Sequence, residues 1–334
     1  MTGKNVTLLQ VEEMKTVFKT RKGNLEAVDG ISFSISKGET VAIVGESGSG
    51  KSVSALSILR LLDSNGEVTS GKILFNNLNL KDISNEEIRK IRGNEIAMIF
   101  QDPMTCLDPV YTIGDQITET IKIHETLSKN ELQERALELL RLVGLPDPES
   151  RINAYPHQLS GGQRQRVMIA IALACRPSLI IADEPTTALD VTVQAQILQL
   201  LKDLQTQFGT AIILVTHDLG VVAEMADKVV VVYAGQVVEQ SNVKDLFNKP
   251  QHPYTEALMK SIPKIDTSKE RKLLTIKGNV PSLIEIPAGC RFHPRCPFAT
   301  DKCRSEEPPL FELANGRESK CWIADPNLTG NWEV

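Results

Sequence analysis

Eight residues constrain this chain more than any other stretch: "GESGSGKS", Gly45–Ser52, preceded by the apolar run Thr40–Val44 and followed by the helix-like "SVSALSILRLL". Glycines at 45, 48 and 50 let backbone N–H groups turn inward around an anion. A helix that starts directly after the loop adds positive partial charge at the same place. The spacing fits G-x-x-x-x-G-K-[S/T] in the strand–loop–helix context that the pattern requires. Lys51 then reaches the β- and γ-phosphates of a nucleotide, and the Ser52 hydroxyl ligates Mg²⁺.

The surrounding pattern agrees with such a loop. Short apolar runs recur at Glu95–Phe100, Ser178–Asp183, Ala211–Thr216 and Lys228–Tyr233, with amphipathic helical stretches between several of them. That rhythm predicts α/β units around a largely parallel, buried sheet. It breaks from about residue 102 to about residue 160, where no buried strand is readable. Leu132, Ala136, Leu139, Leu140 and Val143 fall there at helical spacing, with Ser128 and Glu131 as a capping box and Gly144 and Pro146 as the stop. This stretch reads as a helical subdomain inserted into the α/β core. Beyond residue 245 the texture turns proline-rich and aperiodic, which predicts a nucleotide-binding domain over 1–245 and a C-terminal extension over 246–334.

A second stretch completes the phosphate chemistry. "LIIADEP", Leu179–Pro185, is a buried strand ending in two carboxylates. Asp183 would hold Mg²⁺ directly or through water, and Glu184 would orient or deprotonate an attacking water. The formal net charge of −5 lacks the overall basic signature of a nucleic-acid binder, and no nucleic-acid partner is expected. No apolar run approaches the ~18 residues of a membrane span, and the N-terminus lacks the basic and apolar regions of a signal peptide. A soluble, cytosolic protein is expected, where disulfides are rare.

With these motifs stand "LSGGQRQR" (Leu159–Arg166), "TALD" ending at Asp190, and "THD" (Thr216–Asp218). In this order and spacing the set resembles the ATP-binding-cassette family. The resemblance implies a P-loop NTPase (RecA-like) core with a β-subdomain and an inserted helical subdomain. It implies an ATPase in which Gly45, Glu46, Ser47, Gly48, Ser49, Gly50, Lys51, Ser52 and Val53 bind ATP and Mg²⁺ with Asp183. Glu184, His217 and Gln101 would be catalytic: Glu184 as base, His217 as the switch histidine at the γ-phosphate, and Gln101 as the glutamine that touches Mg²⁺ or the water. Phe18 matches, by position, the aromatic that stacks on adenine. Ser160, Gly161, Gly162 and Gln163, before a helix expected to begin near Gln163, would cap a nucleotide held by an opposing cassette, with Asp190 at the same interface. The chain holds one such loop and one such signature, so the resemblance makes it half of a dimer.

The tail narrows the branch. "HPYTEALMKSIP" from His252, "IKGNVPSL" (Ile276–Leu283) and "PAGCRFHPRCPF" resemble the C-terminal extension of oligopeptide and dipeptide importer ATPases, as does "FQDPMTCLDP" apart from Cys106, where serine would be usual. Nickel importers share much of this pattern. The resemblance implies a D-type subunit with an F-type ATPase as its heterodimer partner, two membrane permease subunits, and an extracellular peptide-binding protein acting indirectly. Cys290, Cys296, Cys303 and Cys321 are separated by gaps of five, six and seventeen residues. Zinc ribbons favour pairs separated by two to four residues, whereas iron–sulfur clusters commonly take four thiolates. Unrelated reduced thiols remain a third possibility from the residues alone. The resemblance to cluster-bearing importer tails implies a [4Fe–4S] cluster, with Zn²⁺ as the alternative.

Overall fold

The structure, a computed structural model, describes residues 6–187, 189–261 and 276–327. Ala188 of the TALD stretch, the end of the His252 stretch at residues 262–263, and residues 328–334 of the expected extension lie outside the described residues. In chain order the strands are β1 (Thr7–Thr20), β2 (Gly23–Ser36), β3 (Thr40–Val44), β4 (Gly66–Phe75), β5 (Leu78–Asn79) and β6 (Ile96–Ile99). They continue as β7 (Leu179–Asp183), β8 (Ala211–Thr216), β9 (Lys228–Tyr233), β10 (Gln236–Asn242), β11 (Phe311–Leu313) and β12 (Arg317–Ser319). The helices are α1 (Lys51–Ile58), α2 (Asn85–Ile91), α3 (Pro103–Cys106), α4 (Ile113–His124), α5 (Lys129–Leu142) and α6 (Pro148–Arg151). They continue as α7 (Gly161–Ala172), α8 (Val191–Phe208), α9 (Leu219–Met225), α10 (Val243–Asn248), α11 (Pro253–Lys260) and α12 (Asp301–Ser305). None of the helices among the described residues is long and apolar enough to cross a membrane.

The chain divides into two compact units. The first takes residues up to Leu8, then Ile35–Glu39 and Asp82–Leu214; the second takes Leu9–Ser34, Thr40–Lys81 and Val215 onward. In the first unit β6 and β7 pair in parallel, from Ile96↔Leu179 to Ile99↔Ala182. All five residues of β7 are buried, as an apolar run with no alternation requires. The helical insertion forms as its pattern predicts. Ser128 Oγ accepts from the Glu131 amide while the Glu131 carboxylate accepts from the Ser128 amide at 2.8 Å. Gly144 ends the segment with a φ of +68°, a conformation that disfavours any side chain.

The second unit holds an antiparallel sheet in the order β2-β1-β4-β5 and, separately, the strand series β11-β12-β10-β9-β3. Within that series β3 and β9 are parallel, from Val41↔Lys228 to Val44↔Val231. Three aromatic side chains close the core over β9: Tyr233 from the strand, Tyr254 from α11 and Phe292 from the cysteine-rich loop. Tyr233 and Phe292 meet edge-on with centroids 5.2 Å apart, and Tyr233 and Tyr254 lie 4.6 Å apart. Full burial of a ring such as Phe292 contributes about 1.5–3 kcal/mol, so the tail segment completes the core of this unit. The two short strands β11 and β12 extend the series, with β12 antiparallel to β10 at Glu239↔Ser319. Three-residue strands carry no readable period, which is why the sequence showed only an aperiodic tail.

Candidate functional site

In the second unit, β3 runs into the glycine loop and the loop into α1. Gly45, Gly48 and Gly50 all take positive φ, at +156°, +77° and +103°. A Cβ at Gly45 would stand 2.1 Å from the Val232 carbonyl oxygen, and one at Gly50 would stand 2.5 Å from that of Ala27. Backbone therefore packs against backbone at both positions, and only glycine fits. Lys51 is buried, and its Nζ folds back to donate to the carbonyls of Gly45 (2.9 Å) and Glu46 (3.0 Å). The curled main chain, the ammonium laid over it and the helix start behind it are the chemistry that a polyphosphate requires. Ser52 and Val53 occupy the first turn of α1.

Two further expected residues lie in this unit. Phe18 on β1 sits opposite Gly66 of β4, and a Cβ at Gly66 would come within 2.6 Å of its ring. Two residues earlier, on the same face of β1, Thr16 shares a 2.8 Å hydrogen bond with Ser57 of α1. His217 is exposed at the end of β8, just before Asp218, whose carboxylate caps α9 through the amides of Gly220 and Val221.

The first unit places the other expected residues. The parallel pairing of β6 and β7 brings their C-terminal ends together, and Gln101 follows one strand as Glu184 follows the other. Gln101 Nε2 donates to Glu184 Oε2 at 2.8 Å, and Thr187 Oγ1 donates to the same oxygen at 3.0 Å. Asp183, one residue before, is the buried last residue of β7. Glu184 takes a φ of +46°, a left-handed turn unusual for a side-chain-bearing residue.

The signature helix starts earlier than its sequence suggests. Gly161 and Gly162 form the first turn of α7, and Ser160 is its cap. Ser160 Oγ accepts from the Gln163 amide at 3.3 Å, and Gln163 Oε1 accepts from the Ser160 amide at 3.1 Å. The serine and glutamine read as anion contacts thus also build a capping box. The Ser160 hydroxyl proton is not used in that box and can still donate. Gly162 leaves room for the first turn of α8, since a Cβ there would approach Val193 Cγ1 to 2.7 Å. Asp190 caps α8 by accepting from the Val193 amide at 2.9 Å.

Comparison with known proteins gives this geometry a family. Residues 28–187 match the family described as ABC transporter, and residues 238–303 match the oligopeptide/dipeptide transporter C-terminal region. The oligopeptide transport ATP-binding protein AppD of Bacillus subtilis is 55% identical over 95% of this chain and 97% of its own length. The dipeptide transport ATP-binding protein DppD of Escherichia coli is 54% identical over 95% of this chain and 96% of its own. Among solved structures, the ATP-binding cassette MJ0796, a dimer in a post-hydrolysis state bound to ADP and Pi, is 32% identical with a TM-score of 0.64, covering 70% of this chain and 98% of that one. CbiO1 from Clostridium perfringens, part of the ABC transporter complex cbiONQ, is 32% identical with a TM-score of 0.62, covering 73% of this chain and 91% of that one.

The chain is an ABC transporter ATPase.

Its fold is the ABC cassette, it binds ATP and Mg²⁺, and it carries the C-terminal region of the oligopeptide/dipeptide branch. As an ABC ATPase of this kind it works as one of a pair of cassettes with membrane permease partners.

The tail of this ABC ATPase corrects one expectation. Among the described residues no group of three or more His, Cys, Asp or Glu side chains could hold a metal ion. Neither the [4Fe–4S] cluster nor the Zn²⁺ alternative at Cys290, Cys296, Cys303 and Cys321 is therefore supported. The four cysteines instead line one cavity of about 240 Å³ with Phe292 and Trp322. Burial pushes the Cys290 thiol above its usual range, Cys296 up to about 11 and Cys321 up to about 12. Counting thiols showed that they gather but not how they are buried around a cavity.

The sequence also missed the partners of the glycine loop in this ABC ATPase. Arg295, between two of those cysteines, pairs with the Glu46 carboxylate, and the Tyr254 hydroxyl accepts from the Glu46 amide at 2.8 Å. One signal was available: an acidic residue inside an anion-binding loop calls for a counter-charge.

Proposed function

We propose that this ABC ATPase powers the import of dipeptides or oligopeptides, pairing with an F-type ATPase beneath two permease subunits that receive peptide from an extracellular binding protein. Support comes from the peptide-transport relatives at 54–55% identity over nearly the whole length, together with the branch-specific C-terminal region. The same relatives disfavour the nickel-importer alternative. The nucleotide-binding domain over 1–245 and the extension over 246–334 form its two functional parts.

The residue roles follow the chemistry of the side chains. Gly45 to Val53 cradle the phosphates, with Lys51 as the cation; Phe18 stacks on the adenine. Ser52, Asp183 and Gln101 would hold Mg²⁺, which would supply charge neutralisation for phosphoryl transfer. Glu184 takes the proton of the attacking water while the Gln101 amide and the Thr187 hydroxyl orient its carboxylate. His217 contacts the γ-phosphate. Ser160, Gly161, Gly162 and Gln163, with Asp190, face the partner cassette. The single observation that carries hydrolysis is the 2.8 Å contact of Gln101 with Glu184, because it links the helical insertion directly to the base. Met104, Val110 and Tyr111 stand exposed just beyond Gln101, an apolar surface suited to a permease helix.

The test is reconstitution with the permease and F-type subunits in proteoliposomes. Uptake of labelled dipeptides that requires ATP, with crosslinks from residues 102–111 to a permease subunit, is the expected result. ATP-driven uptake of Ni²⁺ without peptide uptake would overturn the substrate assignment.

A further inference from the structure

Glu46 is an odd residue for its place. It is the second residue of a loop shaped to hold a polyphosphate, and a carboxylate there repels the ligand. The structure around it answers that problem with groups from the far end of the chain. Arg295 Nη1 donates to Glu46 Oε2 at 2.6 Å and Nη2 to Oε1 at 3.0 Å, a two-pronged pairing across 249 positions of sequence. The Arg295 side chain is only 4% exposed. Its fork is aimed by the tail itself: Nε donates to the Lys277 carbonyl at 3.1 Å, Nη2 approaches that of Ile276 at 3.4 Å, and Nη1 approaches the Tyr233 hydroxyl at 3.4 Å. The hydrogen bond with Glu46, above all, raises the pKa of the guanidinium.

The main chain of Glu46 is held as well. Its amide donates to the hydroxyl of Tyr254, a fully buried residue, and its carbonyl accepts from Lys51 Nζ and from the Ser49 amide. A second arginine of the same tail braces the neighbouring turn. Arg291 donates to the Ala234 carbonyl at 2.5 Å and pairs with Asp29, whose amide donates to the Gly235 carbonyl. Gly235 in turn donates to the Ser49 carbonyl at 2.8 Å.

We infer that Arg295 and Tyr254 are positioning residues of the ATP site: the C-terminal extension neutralises the acid in the phosphate loop and fixes that loop's shape, so the tail sets ATP affinity. The inference rests on the reading of residues 45–53 as the phosphate cradle. It explains why a segment remote from the cassette motifs inserts an arginine beneath the loop. Arg295 does not touch the nucleotide; it acts through Glu46, by cancelling a negative charge that the phosphates would otherwise meet. Its loss therefore raises KM and leaves kcat nearly alone.

The experiment measures ATP and ADP affinity of the full-length chain by calorimetry, and KM and kcat in the assembled transporter. The variants are Arg295→Gln, Glu46→Gln, the double variant, Arg295→Lys, Tyr254→Phe and Lys51→Ala. Arg295→Gln is expected to raise Kd and KM for ATP about tenfold, the scale of one charge-assisted hydrogen bond, with kcat within about twofold. Adding Glu46→Gln is expected to restore most of that affinity, since it removes the stranded charge. A merely structural role for Arg295 would give no such rescue. Arg295→Lys keeps the charge and loses the fork, so a loss of about threefold is expected, as for Tyr254→Phe. Should Arg295→Gln fail to fold, the lysine and phenylalanine variants carry the same comparison. Unchanged KM in folded variants, loss of kcat instead of affinity, or no rescue by Glu46→Gln would overturn the inference. Lys51→Ala separates the two readings: if it still binds ATP normally, the phosphate-cradle reading falls and the brace with it. If it fails to bind while the Arg295 and Tyr254 variants bind normally, the brace alone falls.

Discussion

Glu46 and Glu184 are both acids just past the end of a buried strand, and the protein treats them in opposite ways. The Glu46 carboxylate meets a guanidinium from the far end of the chain in a two-pronged ion pair, and its amide meets a buried tyrosine. The Glu184 carboxylate receives neutral donors, the Gln101 amide and the Thr187 hydroxyl, from its own compact unit. A guanidinium cancels a carboxylate's charge, whereas an amide and a hydroxyl orient it. Glu46 thus reads as a strut, and Glu184 is the reagent in the proposed hydrolysis. The difference also bears on dependence: the phosphate loop leans on the C-terminal extension, while the proposed base is oriented by Gln101 and Thr187 of its own unit.

Four perturbations of decreasing size test that division. Phe292→Ala removes a fully buried ring from the core over β9 and is expected to cost about 3–5 kcal/mol of stability. Denaturant melts should show the loss. Hydrogen exchange should localise it to residues 215–261 and 276–327 and to the glycine loop, sparing β6 and β7. Equal loosening of β6 and β7 would break the division. Lys51→Ala should next weaken ATP binding by about 100-fold, the scale of two hydrogen bonds from a charged donor, without lowering the melting temperature of the apo protein by more than a few degrees.

The third perturbation is pH. His252 is buried, and desolvation holds its pKa down to about 3. Its Nδ1 accepts from the Tyr254 amide, the residue that touches Glu46. The folded-state value lies below the unfolded value, so between about pH 3 and 6.5 the unfolded chain holds a proton that the folded chain does not. Stability contributed by this site is therefore complete above about pH 6.5 and is lost as pH falls toward 3. Melting temperature should fall on acidification from about pH 7 to 5, and His252→Asn, which can still cap α11, should flatten that slope. The smallest effect belongs to Ser160→Ala, which removes half of the α7 capping box at a cost of about 1 kcal/mol. It should appear as faster exchange in the first turn of α7, with no change at the glycine loop.

What the sequence made legible follows the reach of each interaction. The strand–loop–helix around Lys51 and the strand end at Asp183 and Glu184 are local patterns, so residue spacing alone located them. The capping box at Ser128 and Glu131 formed as read because it spans a single turn. The start of α7 was misplaced by two residues because glycines at a helix N-terminus look like loop in a sequence. Strands β11 and β12 were hidden by their length, and the contact of Arg295 with Glu46 by a separation that no local pattern can encode. The cysteine tail misled for a different reason. Its four thiols do gather around one cavity, but no metal-holding group forms among the described residues.

The contrast between strut and reagent is tested most directly by Glu184→Gln, with ATP affinity and turnover measured on the same preparation of assembled transporter. Turnover should fall about 10²–10⁴-fold, because the water loses its base, while ATP binds at least as tightly as to the unaltered protein because the cradle is intact. Hydrolysis at the unaltered rate, or a loss of ATP binding that matches the loss of turnover, would contradict the account.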